Sequence, residues 1–497
     1  MPSTEKERFM NRIKIDLDRR ISSIDRNIFG GFVEHFGRCI YGGMYQPGSP
    51  LSDEDGFRTD VMSALHRLQV PIMRYPGGNF VSGYRWMDGV GRKEERPARL
   101  DLAWGAVESN HFGTNEFIRF CRKLNTEPYL VVNCGDGDMR EARDWVEYCN
   151  GTQETALVKL RRQHGFEAPH GVKYWGIGNE VDGEWQIGYK TPEAYARAYA
   201  EFAKVMKWVD PSIHLIAAVT SLWEGSFVER AQLLIEQAGK HIDYMAIHWY
   251  VSNSAKDFNT YMALSELFEE RLSAYEGLIH ALCLQQGMKR PIPIAVDEWN
   301  VTHQLDDPEM QNSPEHRFNL EDALVVALQL NAFIRHAASV RMANLAQLVN
   351  VLAPIFTSPE GMFLQPIFFP LEVYSRTCGS TALDAYWTGD TFSGGSHTAL
   401  RVLDVAAALD EGKKSLSVYV VNRSQTDAME TTITLEAGSF AGAVGAYVVN
   451  AADIKAENTF ANPNQVGTTE SGYTADKQSS FTYTFEPHSS TALVFAL

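Results

Sequence analysis

The chain predicts a (β/α)8 TIM barrel over residues 21–385 and an antiparallel β-sandwich of jelly-roll type over residues 386–497. The sandwich is expected to take up a further strand from residues 1–20. Three observations carry this reading. Eight short apolar runs begin near Ile28, Ile72, Tyr129, Val172, Leu215, Met245, Ile294 and Ala343, and segments of helical spacing lie between most of them. They span about 350 residues, an ordinary size for such a barrel. Beyond residue 386 the composition turns to Thr, Ser, Ala, Val and Gly, and the apolar period falls to two. All ten tryptophans lie between Trp86 and Trp387, and no cysteine follows Cys378.

Each element has its own signal. Ile13, Ile15 and Leu17 alternate with Lys14, Asp16 and Asp18, the pattern of a half-buried strand. A lone strand is not stable, so this one must pair into the sandwich. Helical spacing runs over 192–209, 227–238, 261–283 and 320–337. In the last domain Ile433 and Leu435 alternate with Thr432, Thr434 and Glu436, and Phe481, Tyr483 and Phe485 with Thr482, Thr484 and Glu486. Asn462-Pro463-Asn464 supplies one of the polar turns. A doubly wound open sheet is the alternative, weakened because no G-x-G-x-x-G follows the first strand. Gly135-Asp-Gly-Asp138 lacks the twelve-residue ligand pattern of a calcium loop and reads as an ordinary loop.

Composition narrows the function by exclusion. The 497 residues carry a net charge of −17, with 22 % charged and 11 % aromatic residues. That balance argues against nucleic acid and anionic membranes as partners, since both need clustered Lys and Arg. A neutral substrate fits better than a polyanion. The six cysteines form no C-x-x-C pair, so buried free thiols are expected. No apolar leader follows Met1 and no run reaches the length of a membrane span. The expected location is cytoplasmic.

Barrels of this kind place their chemistry on the C-terminal ends of strands and the loops that follow. The polar residues there are Glu34-His35, Arg74 through Asn79, Asn179-Glu180, His248 to Tyr250, Asp297 through Asn300, and Asn344 to Gln347. Glu180 follows the apolar run of the fourth strand and Glu298 that of the seventh. Two carboxyls about 5–5.5 Å apart across a barrel mouth suit retaining glycoside hydrolysis, one as nucleophile and the other as acid and then base. His248 is expected to orient its neighbours, because no further His or carboxylate repeats at metal-ligand spacing. Neither metal nor cofactor is implied.

Gly178-Asn179-Glu180, Asp297-Glu298-Trp299-Asn300, Arg74-Tyr-Pro-Gly-Gly-Asn79, Glu34-His35 and the stretch from Asn344 to Pro354, in this order, resemble the α-L-arabinofuranosidases of glycoside hydrolase family 51. The resemblance covers essentially the whole chain. It implies double displacement on terminal α-L-arabinofuranosyl groups of arabinan, arabinoxylan and their oligosaccharides, with Glu180 as acid/base and Glu298 as nucleophile. It further implies that Glu34, Asn79 and Gln347 hold sugar hydroxyls and Asn179 the 2-hydroxyl. Tyr250 and Arg74 would flank the nucleophile, and Trp104 would line the approach for the leaving sugar. A homo-oligomer, often a hexamer, is implied as well. An endo-β-glucanase or β-xylosidase of the same barrel group is the alternative activity. One departure from the family pattern is Thr302, where many members carry tryptophan. The segment 303–315 also reads as shorter than usual.

Overall fold

A computed structural model describes residues 11–497 apart from 222, 224 and 304–313, and the side chain of Asp476. Most of the segment 303–315 therefore lies outside the described residues. Eight parallel strands close into a barrel: Gly30–Phe32, Ile72–Tyr75, Glu127–Val132, Tyr174–Ile177, His214–Thr220, Tyr244–Val251, Ile294–Val301 and Val340–Ala346. Each pairs with its sequence neighbour, and the eighth closes on the first through Asn344↔Gly30. The first strand is short because Ile28 and Phe29 fold into a 3-10 turn over Arg26–Phe29 before it. Gly30 is required there: a Cβ would lie 2.8 Å from the Ala343 carbonyl oxygen and 2.7 Å from Asn344 Nδ2.

The helices follow their end signals. Pro192–Val209 opens with Thr191 as N-cap and proline in the first turn, where a missing N–H costs nothing. Leu320–Arg335 opens with a capping box in which Asn319 and Asp322 exchange side-chain-to-backbone hydrogen bonds. Every residue from Leu320 to Ile334 is buried. The cause is position: this helix lies between the barrel and the sandwich, and a helix covered on all sides loses its polar face. Its last turn carries Arg335, which bridges Glu269 of helix Phe258–Gln285 and Asp404 of the sandwich. Asp138 of the 135–138 loop caps helix Met139–Asn150 through the N–H groups of Arg140 and Glu141. Its acid is thereby accounted for as a cap.

The sandwich packs a seven-stranded sheet on a four-stranded one. Asn11–Ile15 enters the smaller sheet between Tyr386–Thr388 and Met429–Leu435, parallel to the latter, and buries Ile13 and Ile15 completely. Arg20–Ser23 and Thr381–Leu383 form the edge of the larger sheet. Ile433, Val418, Phe485, Leu493 and Phe495 fill the space between the sheets. All six cysteines are free and buried. Among the described residues no helix is long and apolar enough to cross a membrane.

Candidate active site

At the C-terminal mouth of the barrel lies a pocket of about 280 Å³. Seven of the ten residues singled out above line it: Glu34, Asn79, Trp104, Glu180, Tyr250, Glu298 and Gln347. Arg74, Asn179 and His248 are not in its wall but form a buried polar layer in contact with those that are.

Apart from Asn179, which follows the fourth strand, the layer is built from strand residues. Arg74, on the second strand, donates to Glu298 Oε1 at 2.6 Å and to Asn179 Oδ1 at 2.6 Å, and its Nε lies 3.5 Å from Asp297 Oδ2. Tyr129, on the third, donates to Asp297 Oδ2 at 2.9 Å. Tyr250, on the sixth, donates to Glu298 Oε2 at 3.0 Å. His248 presents Nδ1 to Glu180 Oε1 at 2.9 Å and to Glu298 Oε2 at 3.4 Å, and Nε2 to Asp297 Oδ1 at 3.3 Å. Three carboxyls thus share two cations at the floor of the pocket. Adjacent residues of a strand normally face opposite ways, yet Asp297 and Glu298 both join this cluster. The register of the seventh strand shifts against both neighbours around them, and such irregularities re-aim side chains.

Glu180 reaches the mouth by a different route. Gly178 has φ +78° and Glu180 itself φ +42°, left-handed backbone that turns the chain sharply after the fourth strand. A non-glycine residue held there stores strain that its surroundings must compensate. Next in the loop, Asp182 accepts from the Ser221 N–H and hydroxyl at 2.9 Å each. Trp185 then folds back and donates its indole N–H to Glu180 Oε2 at 3.0 Å.

Electrostatics separates the acids. Burial works to raise the Glu180 carboxyl, but the hydrogen bond and charge of His248, with help from Trp185 and Arg74, hold it below its ordinary value. Asp297 is likewise lowered, burial being outweighed by Arg74 and His248. His248 is held protonated: burial opposes its charge, and Glu298, Asp297 and Glu180 outweigh burial. Glu34 goes the other way. Burial pushes it up to about 8, against the lowering effect of the Phe80 N–H.

Glu34 anchors the opposite wall. Its Oε1 accepts from Phe80 N at 3.0 Å and from the Trp104 indole at 3.1 Å, and its Oε2 from Gln347 Nε2 at 3.1 Å. Trp104 stacks on Phe36 with centroids 3.7 Å apart and planes 14° from parallel. Its ring therefore lines the pocket while its N–H holds Glu34. The neighbouring His35 ties Nδ1 to Glu108 at 2.8 Å, at the base of the small hairpin Arg99–Leu100 and Val107–Glu108 that carries Trp104. Trp249, a further aromatic of the sixth strand, is buried and stacks on Phe268. It belongs to the core.

Trp185, Tyr129 and Phe36 are site residues that sequence reasoning missed, and Asp297 was named at its strand end without a role. The period of a strand places Asp297 behind Glu298, and a loop tryptophan five residues past an acid carries no periodic signal. Thr302 and Leu352 complete the pocket wall.

Glu180, His248 and Glu298 offer atoms within 4.8 Å of one another, the spacing of cation ligands. The donor set does not fit a metal. A ligating histidine must present a bare lone pair, whereas both His248 nitrogens face carboxylates and the ring is held protonated.

Comparison with known proteins agrees with this geometry. The family model described as the α-L-arabinofuranosidase C-terminal domain matches residues 297–489, and that of the α-L-arabinofuranosidase 1 domain matches residues 64–271. The intracellular exo-α-(1→5)-L-arabinofuranosidase 1 of Bacillus subtilis is 40 % identical over 468 residues, covering 92 % of this chain and 93 % of its own. The Thermotoga maritima α-L-arabinofuranosidase, solved with arabinose, superposes with a TM-score of 0.90 at 38 % identity, over 98 % of this chain and 100 % of its own. A family 51 α-L-arabinofuranosidase from Bifidobacterium longum gives 0.91 at 30 % identity, over 98 % and 99 %. With two domain models, a relative at 40 % identity over nearly its full length and these structures in agreement, the chain belongs to the α-L-arabinofuranosidases of glycoside hydrolase family 51.

Proposed function

We propose that the protein removes terminal non-reducing α-L-arabinofuranosyl groups from arabinan, arabinoxylan and arabino-oligosaccharides by double displacement. The observation that carries this is the spacing of the two acids. Oxygens of Glu180 and Glu298 lie within 4.8 Å across the pocket, close to the roughly 5–5.5 Å of retaining enzymes and well below the roughly 6.5–9.5 Å of inverting ones. Glu298 attacks the anomeric carbon as the bond to the leaving oxygen breaks, and the proton of Glu180 passes to that oxygen. Water then gives a proton to the Glu180 carboxylate and its oxygen to the anomeric carbon, releasing Glu298. Arg74 and Tyr250 hold the nucleophile by one oxygen each.

The sugar hydroxyls fall to Glu34, Asn79, Gln347 and Asn179. In support, Gln347 Oε1 and Asn179 Nδ2 are buried without a partner among the described residues, and such atoms are stabilised by a polar ligand. Action inside the cell and assembly into a homo-oligomer are parts of the same proposal. The first is supported by the name of the Bacillus subtilis relative and is checked by cell fractionation. The second follows the family resemblance and is checked by light scattering.

The test is a panel of 4-nitrophenyl glycosides. The α-L-arabinofuranoside should be the preferred substrate, and preference for the β-D-glucoside or β-D-xyloside would refute the proposal. Azide should rescue Glu180→Ala with a product of retained α configuration, and Glu298→Ala with an inverted β product. The opposite pairing would exchange the two roles.

A further inference from the structure

Glu180 has two oxygens, and each accepts one N–H. Oε1 accepts from His248, which is buried and fixed on a strand. Oε2 accepts from Trp185, which is 54 % exposed, stands on a loop and lines the pocket. The His248 ring closes the Oε1 side, so a leaving-group oxygen has to meet Glu180 at Oε2, where the indole N–H now sits. An indole N–H donates and never accepts. It stabilises a carboxylate and gives little to a carboxyl oxygen that already carries a proton.

We propose that Trp185 is a removable donor that favours the Glu180 carboxylate until a leaving group is seated and then yields Oε2 to the leaving-group oxygen, so that Glu180 takes up from solvent, as that donor leaves, the proton it delivers. Once the alcohol has left, the indole returns and favours the carboxylate that must take a proton from water. Trp185 is thus a positioning residue that acts through Glu180. The inference rests on the acid/base reading of Glu180 given above.

Asp182 pins the loop to Ser221 before Trp185, and the buried Gln186 pins it to Ser82 just after, so the freedom left to Trp185 is that of its exposed side chain. The ring packs directly over Gly183, where a Cβ would come within 2.4 Å of Cζ2 and 2.5 Å of Cε2. The other groups facing Glu180 are His248 and Tyr250 from the sixth strand, Asp297 and Glu298 from the seventh and Arg74 from the second. All of these are strand residues. Among the described groups that hold the Glu180 charge, His248, Trp185 and Arg74, it is Trp185 that stands on a loop, and its hydrogen bond acts to lower that carboxyl.

The experiment is the pH dependence of kcat/KM on an alkyl α-L-arabinofuranoside, whose leaving group needs protonation. Its basic limb reports loss of the acid's proton in the free enzyme. Trp185→Phe keeps the ring and deletes the donor. The basic limb should move up by about half to one pH unit, the worth of one partly exposed hydrogen bond to a charge. Gly183→Ala keeps the indole but displaces it, and should move the limb the same way. A tryptophan that only stacks on the leaving sugar would change KM and leave the limb in place. A limb that stays put in either variant overturns the inference. Glu180→Gln separates this from failure of the underlying reading: it should lose both the limb and most activity on the alkyl glycoside. If Glu180→Gln keeps both, the acid/base assignment itself falls.

Discussion

Replacing Glu34 by glutamine tests how this protein trades stability for a binding site. The Glu34 carboxyl is buried and pushed up to about 8 from an ordinary 4.5. Its pKa is higher folded than unfolded, so between these values the native state keeps a proton that the unfolded chain has released. Stability therefore falls as pH rises through that window, by about 1.4 kcal/mol per unit, and the full cost of roughly 5 kcal/mol is reached above pH 8. Glutamine cannot ionise. Its oxygen can keep the donors Phe80 N and Trp104 Nε1, and its amide nitrogen then faces Gln347, whose unpartnered Oε1 becomes the acceptor once that amide turns over. Glu34→Gln should accordingly be more stable than the wild type, with a gap that widens from pH 5 to pH 8 and then levels off. Denaturant titrations at pH 5, 6, 7, 8 and 9, followed by tryptophan fluorescence, measure that gap. The same variant should bind arabinosides less well, seen as a raised KM. A gap that is flat across the series, or a variant less stable than wild type at pH 9, would refute the argument.

Arg74→Lys keeps the charge but not the fork that reaches Glu298 and Asn179 together. It should lower kcat about 10²-fold in steady-state assays. Arg335→Met leaves Asp404 and Glu269 without their shared cation and should cost about 3 kcal/mol in a denaturation titration, with turnover per folded molecule unchanged. His336 stands beside it, between Glu269 and Glu276. Burial opposes the His336 charge, but these acids raise it to about 9, so its stabilising effect is complete below pH 6.5 and lost as pH rises through 9. His336→Asn should flatten the decline of thermal stability over that interval, and an undiminished slope would contradict the assignment.

What the sequence disclosed about the site follows strand geometry. Glu180 and Glu298 stand out because each ends an apolar run, and a run that ends on an acid marks a strand leaving the core. Asp297 is named at the same strand end but receives no role, because a period of two assigns it to the face opposite Glu298, and the irregular register that brings both inward depends on neighbouring strands far away in the chain. Trp185 is hidden because loops carry no period, and its contact with Glu180 depends on the sharp turn at positive φ. Trp104 was legible as a pocket aromatic but not as a hydrogen-bond donor, since Glu34 lies 70 residues away. Among the elements, the long helices were readable from their apolar spacing. The strands Arg20–Ser23 and Thr381–Leu383, of four and three residues, are too short to show alternation.

The same two kinds of structure explain how one pocket gives two glutamates different work. Glu298 is held at Oε1 by Arg74 and at Oε2 by Tyr250, both on strands of a closed barrel. Both donors are carried by the barrel wall, and a nucleophile has to be a carboxylate at the moment it attacks. Glu180 shares the His248 cation with Glu298, so the buried layer alone does not distinguish the two acids. The difference is the second oxygen. On Glu298 it is closed by the partly buried phenol of a strand residue, and on Glu180 by a half-exposed indole on a loop. A group whose protonation must reverse twice in each turnover needs a partner that is free to come and go, and the fold places that partner where the leaving group arrives.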